Sequence, residues 1–148
     1  MIQRSVFGTL ALILCLAGAQ FARADAAKPA AAEAKSHKVI FQVSDADPKK
    51  WNLALNNIKN VQDDLGKDRV QAELVAYGPG IGMLKLDSEV GNRVAAAIAS
   101  GVSVVACENT MTNQKLSKGD MLGKIGYVKA GVVELIEKQH QGYAYIRP

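Results

Sequence analysis

Val102-Ser103-Val104-Val105-Ala106-Cys107-Glu108-Asn109-Thr110-Met111 joins a short apolar run to a polar one at a cysteine. The first half is β-branched and bounded by Gly101, which predicts an inner strand covered on both faces. Cys107 then falls where that strand emerges from the sheet into a loop, the edge at which open α/β sheets present ligands and reactive groups.

Toward the N-terminus the same alternation repeats. Lys38-Val39-Ile40-Phe41-Gln42-Val43 is a second strand-like run. Asp47-Pro48 pairs an N-cap with proline at the first helical position, and Trp51, Leu55, Ile58 and Leu65 recur at helical spacing until Gly66. Val70 to Tyr77 is strand-like and ends at Gly78-Pro79-Gly80-Ile81-Gly82. A helix follows from Ser88, with Val90, Val94, Ala97 and Ile98 on one face and Gly101 as its stop. Toward the C-terminus, residues 113–124 are polar and glycine-punctuated, predicting a loop with one helical turn around Lys118 to Leu122. Ile125 to Val128 is a fourth strand, and Val132 to Gln141 is a helix with Val132, Leu135, Ile136 and Gln139 in register. Ala144-Tyr145-Ile146 is the last strand. The alternation predicts an α/β fold, a three-layer α/β/α single domain with a mostly parallel five-stranded sheet.

The chain has 148 residues and a formal charge of +4. Residues 1–24 have the layout of a signal peptide: Arg4, an apolar stretch from Val6 to Ala19, and Ala22-Arg23-Ala24 before Asp25. Leu14 before Cys15 is not the small residue that lipidation needs. Cleavage takes two of the 18 basic residues, leaving 16 against 14 acidic ones, so no basic stripe argues for nucleic acid. No other stretch is long and apolar enough to span a bilayer, so no membrane partner is expected after signal cleavage. Residues 25–36 are Ala-rich with Pro29 and read as a flexible leader. The folded domain spans 37–148, and the expected location is the periplasm.

A lone thiol in an oxidising compartment is either buried and inert or retained for chemistry or intermolecular pairing. Reactivity needs a lowered pKa, for which Lys115 and Lys118 offer charge and Asn109 and Thr110 offer hydrogen bonds, while Glu108 acts in the opposite sense. The bland alternative for Cys107 is a small buried hydrophobe. The Gly78, Gly80 and Gly82 loop is a candidate anion cradle ahead of a helix, or simply a tight turn, and it matches neither a Walker loop nor the dinucleotide fingerprint. His37 and His140 lack metal-ligand spacing. Asp45 and Asp47 fall at the same sheet edge as Cys107, with capping accounting for Asp47. Trp51, Tyr143 and Tyr145 fit packing. No Ser-His-Asp elbow or zinc spacing is present, and neither a metal nor a cofactor is expected.

Val39 to Asp45, Tyr77-Gly78-Pro79-Gly80, Val104-Val105-Ala106-Cys107-Glu108-Asn109-Thr110 and Gly142-Tyr143-Ala144-Tyr145-Ile146-Arg147-Pro148 together resemble the DsrE/DsrF-like family, of the DsrE/TusD sulfur-relay type, over about residues 37–148. The resemblance implies a three-layer α/β fold, assembly into a homotrimer or homohexamer, and a carrier role for Cys107. In that role the cysteine takes sulfur from a donor protein as a persulfide and passes it to an acceptor. The best-known carriers are cytoplasmic, whereas this chain has an export signal. Two functions are therefore expected to compete. One is a periplasmic sulfur-binding or thiol-relay protein. The other is a non-catalytic oligomeric module that binds a small ligand or a partner and has a packed, structural cysteine.

Overall fold

The computed structural model describes residues 37–148; the expected signal peptide and leader lie outside the described residues. Five strands, β1 (His37–Val43), β2 (Val70–Ala76), β3 (Ser103–Cys107), β4 (Gly126–Val128) and β5 (Ala144–Ile146), form one all-parallel sheet in the order β4-β3-β2-β1-β5. Helices α1 (Pro48–Leu65) and α2 (Gly91–Ala99) pack on one face, and α4 (Gly131–His140) crosses the other on its way from β4 to β5. The short α3 (Glu108–Asn113) follows β3. The expected three-layer α/β single domain is what forms.

The side-chain alternation of the strands divides the core in two. On one face Phe41, Leu74, Val104 and their neighbours meet Leu55, Ile58, Ile81 and Val94. On the other, Ile40, Val75, Val105, Leu135 and Tyr143 make a smaller cluster. Full burial of side chains such as Phe41 and Leu74 contributes about 1.5–3 kcal/mol each. The strand-like runs are mostly apolar because helices cover both faces, with Gln42 and Glu73 as buried polar exceptions.

Local signals set most boundaries. Asp47 caps α1 by accepting a hydrogen bond from the Lys49 N–H at 2.9 Å, with Pro48 at the first position. The second helix begins at Gly91 instead of Ser88, because Ser88 closes a turn that accepts the Gly91 N–H at 3.0 Å. The Gly78 to Gly82 turn is wound into a 3-10 helix, Gly78–Leu84, that buries Ile81, Met83 and Leu84. Gly80 is required there. A Cβ at that position would lie 2.4 Å from the Val43 carbonyl oxygen and 2.8 Å from the Ser44 Cα.

Two expectations need correcting. Cys107 does not lead into a loop: residues 108–113 are helical, and the polar loop begins only after them, with its one helical turn at Lys118–Asp120. In α4, Leu135 is buried as expected, but Val132 and Ile136 are 53% and 47% exposed. The helix is rolled so that Leu135 and Lys138, and not the Val132–Ile136 edge, face the sheet.

Candidate functional site

Cys107 is the last residue of β3 and the N-cap of α3. Its sulfur takes the position that an N-cap oxygen usually holds and accepts the Thr110 N–H at 3.4 Å. The sheet places the segment after β4 beside it, since Cys107 pairs with Val128. The Lys129 carbonyl accepts the Asn109 N–H at 3.1 Å and faces Sγ at 4.0 Å, within reach of the thiol proton. Gly131, the first residue of α4, follows two residues later, and its N–H is among the groups that favour the thiolate. Two helix starts therefore converge on one thiol.

Burial pushes the Cys107 thiol up. Hydrogen bonds from the Thr110 hydroxyl and from the Gly131, Thr110 and Asn109 N–H groups outweigh it, and the thiol lies below its ordinary range. Of the two effects weighed for this sulfur, stabilisation of the thiolate wins. Access is a separate matter: Cys107 is 5% exposed. It is the free cysteine among the described residues.

Thr110 ties the thiol to the glycine turn. Its Oγ1 accepts the Gly78 N–H at 2.9 Å, which leaves its single proton free for the sulfur. The Gln114 side-chain amide donates back to the Gly78 carbonyl at 3.2 Å. Two candidates that are distant in sequence, the cysteine and the Gly78 turn, are thus one hydrogen-bonded unit. The turn's amides face inward: Gly78 serves Thr110 and Gly80 serves the Tyr77 carbonyl at 3.1 Å. Gly82 lies against the Trp51 ring, where a Cβ would come within 3.3 Å.

The other candidates are more scattered. Lys115 is exposed beyond the end of α3 with φ 57, and the groups that lower the thiol are hydrogen-bond donors, not lysine charges. Lys118 lies 4.4 Å from the centroid of the Tyr127 ring and pairs with Glu108 at 3.9 Å, occupying the carboxylate that opposed the thiolate. Asp45 binds Lys50 at 3.1 Å and Arg147 at 3.5 Å, and Lys50 leads in holding its carboxyl below the ordinary range. That cluster lies where β1 and β5 part, the topological switch point of the sheet, two strands away from Cys107. A cavity of about 300 Å³ between α1 and α2, lined by Leu55, Ile58, Gln62 and Ala97, is on the opposite face of the sheet. Among the described residues no group of three or more His, Cys, Asp and Glu could hold a metal ion, and no helix is long and apolar enough to cross a membrane.

Sequence reading missed Gly131 as a donor to Cys107 and the whole of α3. The signal for α3 was present as Cys-x-x-Thr, an N-cap with its partner N–H three residues on, but cysteine is not among the usual caps. Nothing local to Gly131 announces its role, which arises from the pairing of β3 with β4.

Comparison with known proteins fits this geometry. The family model described as the DsrE/DsrF-like family matches residues 37–148. Among solved structures, the protein of unknown function MTH1491 from Methanobacterium thermoautotrophicum is 33% identical, with a TM-score of 0.73 over 76% of this chain and 99% of that one. The conserved protein of unknown function BT1422 from Bacteroides thetaiotaomicron (17% identical, TM-score 0.61, 80% of this chain and 100% of that one) shares the fold. So does the ychN protein from E. coli (13% identical, TM-score 0.57, 76% and 99%). No curated protein matches the chain. The family match over the whole described domain, together with the archaeal structure at 33% identity, establishes that this chain belongs to the DsrE/DsrF-like family.

Proposed function

We propose that this protein is an exported, periplasmic sulfur carrier in which Cys107 holds one sulfur atom as a persulfide. The family is associated in general with sulfur relay. The observation that carries the assignment to this residue is the place of Cys107 Sγ as the N-cap of α3, accepting the Thr110 N–H at 3.4 Å, which with its neighbouring donors lowers the thiol's pKa. The thiolate attacks the outer sulfur of a donor persulfide. A new S–S bond forms at Cys107, the donor's S–S bond breaks, and the donor leaves as a thiolate. An acceptor thiolate then attacks the outer sulfur on Cys107, whose own thiolate departs with the electron pair. No net oxidation occurs in either step, and no metal or cofactor is needed.

Thr110, Asn109 and Gly131 stabilise the anionic sulfur before attack and again when it leaves. The Gly78 turn orients Thr110. Incubation with a small persulfide donor followed by intact mass measurement tests the proposal: the wild type should gain one sulfur atom, and Cys107→Ser should gain none while remaining folded, because a hydroxyl is a far weaker acid and sulfur nucleophile. One observation favours the competing role, a non-catalytic oligomeric interaction module with a packed cysteine, namely the 5% exposure of Cys107. A wild type that ignores both the donor and a small alkylating reagent until denatured would establish that role instead.

Export and assembly belong to the same proposal. The mature chain should begin at Asp25, and N-terminal sequencing of exported protein that returned Met1 would refute this. The domain should form a symmetric homotrimer or homohexamer, and light scattering that found only monomer at micromolar concentration would count against it.

A further inference from the structure

The residues that join β4 to α4 lie directly on Cys107, so the seating of α4 sets part of the thiol's environment. Lys129 faces Sγ through its carbonyl at 4.0 Å, and the Gly131 N–H is one of the groups that favour the thiolate. Gly131 packs closely against Tyr77, where a Cβ would come within 3.0 Å of the Tyr77 Cβ. Further along, α4 is held to the sheet by the Leu135 side chain and by one buried ion pair. Lys138 Nζ reaches Glu73 Oε2 at 2.9 Å, with the two side chains 17% and 6% exposed. The other carboxylate oxygen, Oε1, is buried without a hydrogen-bond partner among the described residues. Lys138 also approaches Glu134 at 3.4 Å and lies 5.1 Å from the Tyr143 ring centroid.

A buried carboxylate in the middle of β2 whose neighbours are one cation and the Ser103 hydroxyl is an unfavourable arrangement unless that cation stays in place. The cation is carried by α4, about 10 Å along the helix axis from Gly131. An α-helix is stiff over that length, so the pair fixes both ends of α4. With Val132 and Ile136 turned outward, little else on the inner side of α4 would hold it.

We propose that the Glu73–Lys138 pair is the latch that seats α4 on the sheet and thereby holds the junction from Lys129 to Gly131 against Cys107 Sγ. Both are positioning residues, and their importance for function rests on the reading of Cys107 as a reactive thiolate.

The test is the pH profile of Cys107 in the full chain, read as its rate of reaction with a small disulfide reagent in wild type, Glu73→Gln, Lys138→Met and the double variant Glu73→Met/Lys138→Met. If the pair acts by seating α4, both single variants move the midpoint in the same direction, upward by up to about one unit where the Gly131 N–H is drawn away from the sulfur. If instead the two charges act on the sulfur directly through space, the single variants move it in opposite directions, because one removes a negative and the other a positive charge. That outcome overturns the latch. So do unchanged profiles in both. The double variant fills the same volume with apolar side chains, a replacement that buried ion pairs tolerate well, and it should restore the wild-type profile. Should Lys138→Met fail to fold, Glu73→Gln and the double variant still decide between the outcomes. A wild type that does not react until denatured sinks the relay and the latch together, whereas a reactive wild type with insensitive variants sinks the latch alone.

Discussion

Replacing Thr110 by valine keeps the shape of the side chain and removes the one atom that joins the Gly78 turn to the thiol. Two losses follow. The Gly78 N–H, which is half-buried, loses its acceptor at 2.9 Å. Half-exposed, it can partly turn to water, so the cost to stability is about 1 kcal/mol, the low end of the range for an unpaired buried donor. The thiolate loses its hydroxyl donor, and a charge-assisted hydrogen bond of about 1.4 kcal/mol corresponds to a rise of about one pKa unit. Reactivity does not fall by the same factor. A more basic thiolate is intrinsically more nucleophilic, with a Brønsted slope of about 0.4–0.5, so a tenfold loss of thiolate becomes a loss of about threefold in rate at neutral pH. Well above the midpoint, where both proteins are fully ionised, the variant should react about threefold faster for the same reason. The two pH–rate profiles with a small disulfide reagent should therefore cross. Thermal unfolding supplies an independent reading. Folded Cys107 lies below the ordinary thiol value of 9.0, so its thiolate adds stability that is complete above 9.0 and is lost as pH falls through the folded value. The deficit of Thr110→Val relative to wild type should grow between neutral pH and pH 9. Thr110→Ser, which keeps the hydroxyl, should follow the wild type. Profiles that run parallel without crossing, or a serine variant displaced as far as the valine one, would refute the hydroxyl as a donor to the sulfur.

Two further substitutions test the scaffold beneath the site. Gly80→Ala forces a Cβ to within 2.4 Å of the Val43 carbonyl oxygen, backbone against backbone, so denaturant titration should show a loss of about 3 kcal/mol or failure to fold, and a change below about 1 kcal/mol would mean the turn relaxes freely. Asp47→Ala removes the cap on the Lys49 N–H and should cost about 1 kcal/mol without moving the Cys107 pH profile, since α1 lies on the opposite side of the sheet from the thiol. A shifted profile in that variant would show that the two faces are coupled.

The strands and the three long helices were legible because each carries its own signal. β-branched runs with few polar interruptions mark strands covered on both faces, and Asp47-Pro48 marks a helix start within two residues. What was not legible arose from contacts across the sheet. Glu73 reads as a polar interruption in Val70 to Ala76, and its partner is 65 residues away on the helix that crosses the other face. The roll of α4 was missed for the same reason: Val132 and Ile136 satisfy the helical period as well as Leu135 does, and the inward side is marked only by partners across the sheet, Glu73 for Lys138 and the Ile40 cluster for Leu135.

At the site, the residue types suggested by sequence separate into two groups. Lysine charge and hydrogen bonds from Asn109 and Thr110 were both expected to lower the thiol pKa, and the causes in the fold are hydrogen-bond donors, three of them backbone N–H groups whose direction depends on helix starts. Such donors have a consequence that a lysine would not. They are fixed before the thiolate forms, so ionisation requires little reorganisation, and they are screened by salt far less than an exposed ammonium group is. The expected midpoint of Cys107 is accordingly insensitive to ionic strength. A midpoint that climbs steadily with added salt would point back to Lys115 or Lys118 as the stabilising charge, and would place the burden of thiolate stability on the loop instead of on the two converging helices.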